Sequence, residues 1–293
     1  MVIEIINTGS ELMLGFVLNT HQQWLCRQLA DRGYLVSRQL AVNDSGPAIK
    51  EAVAEAMTRA ELIITTGGLG PTSDDITRDL IADLLGKKLI EDPKIVAEIE
   101  KFFAARKRPM PASTRVQAMV PDGATVLMNA HGTAPGLAMQ TPKGWLIMLP
   151  GPPRELRPMF TDQVVPLLEK LFPKPAEFVC KVLKTTGVGE SVVEERVAPK
   201  LQSLFARGLE IGYCARVGEV DVRLTARGEK AVELVAEGEK IVRDEMGSFV
   251  FGVEGDPLDG VVVRMLTESG RTLALAESCT GGFIANQIGR AHV

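Results

Sequence analysis

Histidine is scarce in this chain, three among 293 residues. That scarcity argues against zinc chemistry and against Ser-His nucleophilic catalysis, and it favours a hard cation held by carboxylates if a metal is used. Cysteine is scarce too. Cys26, Cys180, Cys214 and Cys279 lie far apart with no C-x-x-C pair, so reduced, mostly buried thiols of a cytoplasmic protein are expected rather than a disulfide framework. No apolar run reaches bilayer-spanning length. The start, Met1-Val2-Ile3-Glu4-Ile5-Ile6, lacks the basic flank and small-residue cleavage site of a signal peptide. Neither a membrane nor, at a formal net charge of −4, a nucleic acid is expected as partner. What remains is an ordinary globular composition, 45% hydrophobic and 24% charged, in a chain long enough for two domains or one large and one small.

The first half alternates strand and helix patterns. Residues 2–7, 35–42 and 61–66 read as strands, and 19–32, 47–59 and 73–86 as helices. Residues 88–120 read as further helix, and 125–128, 137–140 and 145–149 as later strands. Strands separated by helices imply a parallel sheet covered on both faces. Right-handed crossovers then place the strand-to-helix loops at one edge, where ligands bind in open α/β sheets. Ser10 and Glu11 follow the first strand, Asn43 and Asp44 the second, Asp74 and Asp75 the third. Topology alone can therefore bring these polar groups together, although Glu11 or Asp44 taken singly reads equally well as a solvated loop acid or a helix cap.

The most informative stretch is Thr65-Thr66-Gly67-Gly68-Leu69-Gly70-Pro71-Thr72-Ser73-Asp74-Asp75-Ile76-Thr77. It follows an apolar strand and precedes Leu80, Ile81, Leu84 and Leu85 at helical spacing. Gly67, Gly68 and Gly70 let backbone amides approach a ligand with no Cβ in the way. Pro71 suits a first helical turn, which Thr72, Ser73 or Asp74 can cap. Such a loop and helix start attract phosphate. The adjacent carboxylates Asp74 and Asp75 would repel bare phosphate, so a divalent cation is expected between protein and phosphate. On this reading Gly68→Val should block the ligand and leave the metal site intact. A tight turn with a capped helix explains the same glycines without any ligand.

Further on, Arg106-Lys107-Arg108 reads as a solvated basic face. His131 sits in a loop, and Pro150-Gly151-Pro152-Pro153 forms a rigid turn after the last strand. Glu155 then falls in a first helical turn, where a negative charge is favourable. Pro173-Lys174-Pro175 marks a linker. Beyond it, 176–186 reads as a strand, 190–206 as a helix, 208–215 and 218–226 as a hairpin, and 229–246 as a helix. Residues 257–269 read as a helix, 271–276 as a strand and 280–287 as the start of another helix.

The thirteen-residue string resembles the signature of the MoaB/Mog-like molybdopterin-binding fold, and in its Gly-Pro-Thr-Ser-Asp-Asp form it resembles the competence/damage-inducible CinA family. Thr8-Gly9-Ser10-Glu11-Leu12, Leu149-Pro150-Gly151-Pro152-Pro153-Arg154-Glu155-Leu156 and Thr186-Gly187-Val188-Gly189-Glu190-Ser191 carry the same resemblance. Ala276-Glu277-Ser278-Cys279-Thr280-Gly281-Gly282 resembles the opening of that family's nicotinamide mononucleotide deamidase domain.

The resemblance implies a three-layer αβα domain over 1–172, a smaller KH-like α+β domain over 176–252, and the start of the deamidase domain over 257–293. It implies hydrolysis of ADP-ribose to AMP and ribose 5-phosphate with Mg²⁺, Mn²⁺ or Co²⁺, in pyridine nucleotide recycling, by a homodimer. Asp74 and Asp75 would hold the metal. Gly67, Gly68, Gly70 and Thr72 would contact phosphate, with Ser10, Pro150, Gly151 and Glu155 completing the nucleotide site. Asp75, Asp44 and Glu11 would serve catalysis, Asp44 or Glu11 by orienting water or binding a ribose hydroxyl. The alternative is a molybdopterin- or nucleotide-binding module without turnover. In the KH-like part, Gly187-Val188-Gly189-Glu190 is not the basic GXXG loop of RNA binders, and residues 176–250 carry eleven Lys and Arg against thirteen Asp and Glu. The deamidase segment is expected to be incomplete, since a whole domain needs well over a hundred further residues. The last six residues, 288–293, match the translation of a common sequencing adapter and are expected not to be native.

Overall fold

Runs of Ile, Val and Leu bounded by turn residues become the strands of the first sheet. The computed structural model describes residues 1–291, and the chain divides into two units, Met1–Pro175 and Ala176–Val293. The first unit contains β1 (Ile3–Thr8), α1 (Ser10–Met13), α2 (Thr20–Ala30), β2 (Arg38–Val42), α3 (Gly46–Met57), β3 (Leu62–Thr66) and α4 (Thr77–Leu84). There follow β4 (Leu89–Glu91), α5 (Pro93–Ala104), β5 (Met119–Pro121), β6 (Thr125–Leu127), β7 (Gly136–Gln140), β8 (Trp145–Leu149), α6 (Pro153–Met159) and α7 (Val165–Leu171).

The main sheet has six strands in the order β2-β1-β3-β8-β7-β6. Side chains alternate between its faces. Ile6, Ile63 and Met148 pack with Ile49 and Val53 of α3, Ile81 of α4 and Ile95 and Ile99 of α5. Ile3, Ile5, Ile64 and Ile147 pack on the other face with Leu25 and Leu29 of α2, Leu156 of α6, Leu168 of α7 and Phe160, which lies between α6 and α7. These are the three layers expected. The sheet is mixed rather than wholly parallel: β2, β1, β3 and β8 run parallel, while β7 is antiparallel to both β8 and β6. The cause is connection length. The turn closed by the Thr141 amide on the Gly144 carbonyl at 2.8 Å is too short for the crossover that parallel strands need.

Three local expectations give way. The stretch 88–120 is not continuous helix. β4 and β5 pair antiparallel around α5, and the segment returns through a 3₁₀ turn, Ala112–Ala118, after Pro109 and Pro111, which cannot donate to a helix. α4 starts at Thr77, not at residue 73. The cysteines are not mostly buried either: Cys26 is half-buried and the other three are exposed, with Cys180 on the strand face opposite the buried Leu183.

The second unit holds β9 (Phe178–Thr186), α8 (Glu190–Val197), α9 (Gln202–Phe205), β10 (Glu210–Arg216), β11 (Glu219–Arg227), α10 (Ala231–Met246), β12 (Val250–Val253), α11 (Leu258–Glu268) and α12 (Phe283–Arg290). Its antiparallel sheet runs β10-β11-β9-β12, and Leu183, Val222 and Leu224 pack against Val193, Leu234 and Val242. The single helix expected over 190–206 is broken by a 3₁₀ turn, Ala198–Leu201, at Pro199. Residues 271–276 form no strand, because no neighbouring strand among the described residues supplies a ladder for their backbone. Of the six residues expected to be non-native, Ile288 to Arg290 continue α12, while His292 and Val293 lie outside the described residues. No described helix is long and apolar enough to cross a membrane.

One buried charge sits within the sheet. Glu4 of β1 is 4% exposed. Arg59, just past α3, grips it from Nε to Oε1 at 2.6 Å and from Nη2 to Oε2 at 3.0 Å. Such a fork is strong and geometrically specific. Arg59→Ala would strand the Glu4 carboxylate, so we expect a lower urea midpoint, with Arg59→Ala Glu4→Leu recovering most of it. Urea unfolding of both variants measures this; an unchanged midpoint for Arg59→Ala would show the pair to be dispensable.

Candidate functional site

The loops after β1, β3 and β8 converge at one edge of the sheet on a cleft of about 250 Å³. Its lining includes Thr8, Glu11, Asp44, Gly67, Gly68, Gly70, Asp74, Asp75, Pro150, Gly151 and Glu155. Parallel packing of β1, β3 and β8 brings these loops side by side.

Gly67 and Gly68 both have positive φ, +95° and +65°, a region that disfavours side chains. The Gly67 amide donates to the Leu149 carbonyl at 3.0 Å, tying the ends of β3 and β8. A Cβ on Gly67 would come within 2.7 Å of the Thr8 carbonyl oxygen, one on Gly68 would overlap the Thr77 hydroxyl, and one on Gly70 would overlap the Asp75 carboxylate. Gly68→Val therefore breaks the loop's own packing, contrary to the expectation that it would only obstruct a ligand.

The late start of α4 has a local cause. Asp75 Oδ2 accepts from the Thr72 amide at 3.0 Å and from the Thr72 hydroxyl at 2.5 Å. The Thr77 amide returns to the Gly68 carbonyl at 3.2 Å. These side-chain bonds give residues 72–76 a turn that competes with helix. Thr72 and Ser73 consequently do not cap α4, whose first turn shows no side-chain cap bond. Thr72 is engaged with Asp75 and does not line the cleft. The Thr72 hydroxyl beside it, and its own amide, hold the Asp74 carboxyl below the ordinary value of 3.8.

Ser10 also turns away. Its amide donates to Asp44 Oδ2 at 2.7 Å and its hydroxyl accepts from the Asp44 amide at 3.2 Å. The pair latches the loop after β1 to the loop after β2. Asp44 is thus half committed to structure, whereas the Glu11 carboxylate makes no hydrogen bond or ion pair among the described residues. Glu155 lies in the first turn of α6 yet is only 8% exposed. Its Oε2 accepts from Asn129 Nδ2 at 2.8 Å, and Arg154 Nε lies 3.8 Å from Oε1, so it is a held wall of the cleft rather than a simple end-charge.

The donor chemistry fits a hard divalent cation, since every titratable side chain in the lining is a carboxylate. Among the described residues, however, no three His, Cys, Asp or Glu converge on one cation position. The residues can hold a cation only together with ligand oxygens, the way Mg²⁺ is usually bound.

Sequence reasoning missed the groups beneath the cleft. Asn7 Nδ2 donates to the Thr66 hydroxyl at 2.6 Å, and Asn19 Nδ2 to Asn7 Oδ1 at 3.0 Å. The Thr8 and Thr77 hydroxyls lie 3.5 Å apart. His21 of α2 was missed too. Its Nε2–H donates to the Gly151 carbonyl at 2.5 Å, while Nδ1 is buried without a partner. Its position at the start of α2, at the same sheet edge as the other loops, is the signal that could have found it; His131, in contrast, is exposed. Burial lowers the His21 pKa from 6.5, the Gly151 hydrogen bond opposes this, and Arg157 adds to it. A depressed pKa means that the unfolded chain takes up the proton first. His21 therefore contributes stability that is intact above about pH 6.5 and is lost as pH falls toward its folded value. His21→Gln keeps a donor for Gly151 but cannot titrate. We expect the wild-type melting temperature to fall more steeply than that of His21→Gln between about pH 7 and pH 5; parallel curves would contradict the assignment.

Comparison with known proteins adds independent findings. The family described as probable molybdopterin binding domain matches residues 4–170, the damage-inducible protein CinA KH domain matches 180–252, and the CinA C-terminal domain matches 255–292. The chain is 42% identical over 291 residues to the putative competence-damage inducible protein of Moorella thermoacetica, covering 98% of this chain and 70% of that one. It is 43% identical over 288 residues to the CinA-like protein of Akkermansia muciniphila, covering 98% and 68%. Among solved structures, the protein CinA with unknown function from Thermoplasma acidophilum aligns at 29% identity with a TM-score of 0.51, over 58% of this chain and 96% of that one.

Proposed function

We propose, from the premise that this chain belongs to the CinA family, that its first unit is a metal-dependent nucleotide pyrophosphatase hydrolysing ADP-ribose to AMP and ribose 5-phosphate. The observation that carries this reading is the charge of the cleft: Glu11, Asp44, Asp74, Asp75 and Glu155 line it together with a glycine loop, and among the described residues no Lys, Arg or His does. A phosphate cradle so acidic is consistent only with a ligand that arrives with a cation. A bound Mg²⁺, Mn²⁺ or Co²⁺ would neutralise diphosphate oxygens and lower the pKa of an attacking water.

The chain's own residues supply the rest. Asp74 and Asp75 hold the cation together with ligand oxygens. The backbone at Gly68 and Gly70, with no side chains in the way, faces phosphate, and the Pro150–Gly151 turn closes the opposite wall. Glu11, whose carboxylate has no other partner among the described residues, orients water, with Asp44 stabilising the loop that carries it. A second reading, a pterin- or nucleotide-binding module without turnover, is favoured by the molybdopterin-binding family match over 4–170.

Incubating the protein with ADP-ribose, NAD or ADP and each cation, and assaying AMP, separates the two. The expected result is AMP from ADP-ribose, with Asp74→Asn, Asp75→Asn and Glu11→Gln each slower by about 10²-fold. Asp75→Asn retains an acceptor for Thr72, so the loop should survive. Turnover unchanged in both Asp variants would overturn the metal assignment. Tight pterin binding with no AMP from any diphosphate would favour the binding module.

The same reading includes a homodimer. Leu14, Phe16 and Leu18, between α1 and α2, are 68%, 81% and 84% exposed, an apolar run of the kind that marks an interface. Light scattering at micromolar concentration is expected to return twice the chain mass of 31.7 kDa; a single chain mass would count against it.

A further inference from the structure

The turn after β8 is Pro150-Gly151-Pro152-Pro153. Proline has no N–H and a fixed φ. Gly151 is therefore the only residue of the four that can donate a backbone hydrogen bond, and the only one whose φ no ring holds. Its amide has no hydrogen-bond partner among the described residues. Gly151 lines the acidic cleft and sits beside the glycine loop. Beyond its chain neighbours, a Cβ on it would meet only the Gly67 Cα, at 3.8 Å.

One side chain removes the freedom that this glycine leaves. His21, in the first turn of α2, donates from Nε2 to the Gly151 carbonyl at 2.5 Å, and its Nδ1 is buried without a partner. A carbonyl only accepts, so Nε2 carries the proton and Nδ1 a bare lone pair. Burying that lone pair unpaired is unfavourable, and an apolar side chain in the same space would avoid it. What the imidazole supplies here is its N–H to Gly151.

His21 reaches from a fixed base. Asn19 caps α2, accepting from the Gln22 amide at 3.1 Å, and its Nδ2 donates to Asn7 Oδ1, on β1, at 3.0 Å. Asn7 Nδ2 in turn donates to the Thr66 hydroxyl, on β3, at 2.6 Å. One turn along α2 from His21, the Trp24 ring lies under the Arg157 guanidinium of α6, 5.5 Å from ring centroid to Cζ. The helix that carries His21 and the helix that follows Gly151 are thus tied to each other and to the sheet edge.

We propose that His21 is a positioning residue: by holding the Gly151 carbonyl toward α2 it keeps the one amide of this turn directed into the cleft, where it donates to a phosphate oxygen of the ligand. Every titratable side chain in the lining is a carboxylate, so a backbone donor is what this wall offers an anion directly. The identity of the ligand rests on the pyrophosphatase reading, but the contact is measurable without turnover.

The Gly151 signal in a ¹H–¹⁵N spectrum of ¹⁵N-glycine-labelled protein reports it, assigned by its loss in Gly151→Ala, together with calorimetric titration of AMP with Mg²⁺. In the wild type the signal should move when AMP and Mg²⁺ are added. His21→Leu fills the space without a donor, and His21→Asn ends at the Nδ1 position, short of Gly151. In both, the signal should stay in place and AMP affinity should fall by about tenfold, the usual scale for a hydrogen bond to a charged group. His21→Gln, whose amide matches the Nε2 position, should restore both. With ADP-ribose as substrate, KM should follow the AMP affinity while kcat holds. A signal that moves alike in all four proteins, a wild-type signal indifferent to AMP, or a His21→Gln as weak as His21→Leu overturns the inference, even if the wild type hydrolyses ADP-ribose. Loss in His21→Leu and His21→Asn with recovery in His21→Gln, and no hydrolysis by the wild type, sustains it while the pyrophosphatase reading falls.

Discussion

The close approach of the Gly67–Gly68 backbone to Thr8 and Thr77 governs the geometry of the whole first unit at its carboxyl edge. With no Cβ on either glycine, the loop after β3 can press against the end of β1 and the start of α4, and its amide can reach the last residue of β8. Three strands end in register because of that contact. Glu11 beyond β1, Asp74 and Asp75 beyond the glycines, and Pro150 and Gly151 beyond β8 all line the cleft next to it. The positive φ angles at 67 and 68 add a second reason why only glycine serves there.

Around this contact the polar side chains divide into those that hold the loops and those that face the open space. Ser10, Thr72, Asn129 and His21 all point at other parts of the wall and fix its shape. Glu11 and Asp74 are left toward the cleft, and Asp44, Asp75 and Glu155 do both. The lining carries five carboxylates held mainly by neutral donors, and Arg154, 3.8 Å from Glu155, pairs with only one of them. That electrostatic state, more than any single residue, characterises the cleft.

The strand-and-helix alternation was readable because buried β-branched runs and amphipathic helices have distinct periods. The errors fell where a side-chain bond or a chain neighbour decides the outcome. Residues 73–76 have a helix-start composition, but the Thr72–Asp75 hydrogen bonds, which depend on side-chain rotamers, hold them in a turn. Residues 271–276 have strand composition but no strand beside them among the described residues. The antiparallel direction of β7 follows from the length of the turn that joins it to β8 and not from the strand's own composition. In the second unit, Pro199 was visible, yet the remaining helix pattern concealed the break it makes.

The sequence alone determined which family the chain belongs to, the glycine loop and the convergence of loops at one edge, because these depend on residue type and spacing along the chain. Tertiary structure decided which of the converging groups are available. Ser10 and Thr72 look like ligand contacts in sequence, but Ser10 meets Asp44 because two loops pack together, and Thr72 is engaged by Asp75 through the turn that the loop adopts in place of helix. His21 and Asn129 look unremarkable in sequence, but 130 residues separate His21 from the Gly151 carbonyl it binds, and 26 separate Asn129 from Glu155. A hydrogen bond between residues so far apart is a property of packing, and no local pattern encodes it.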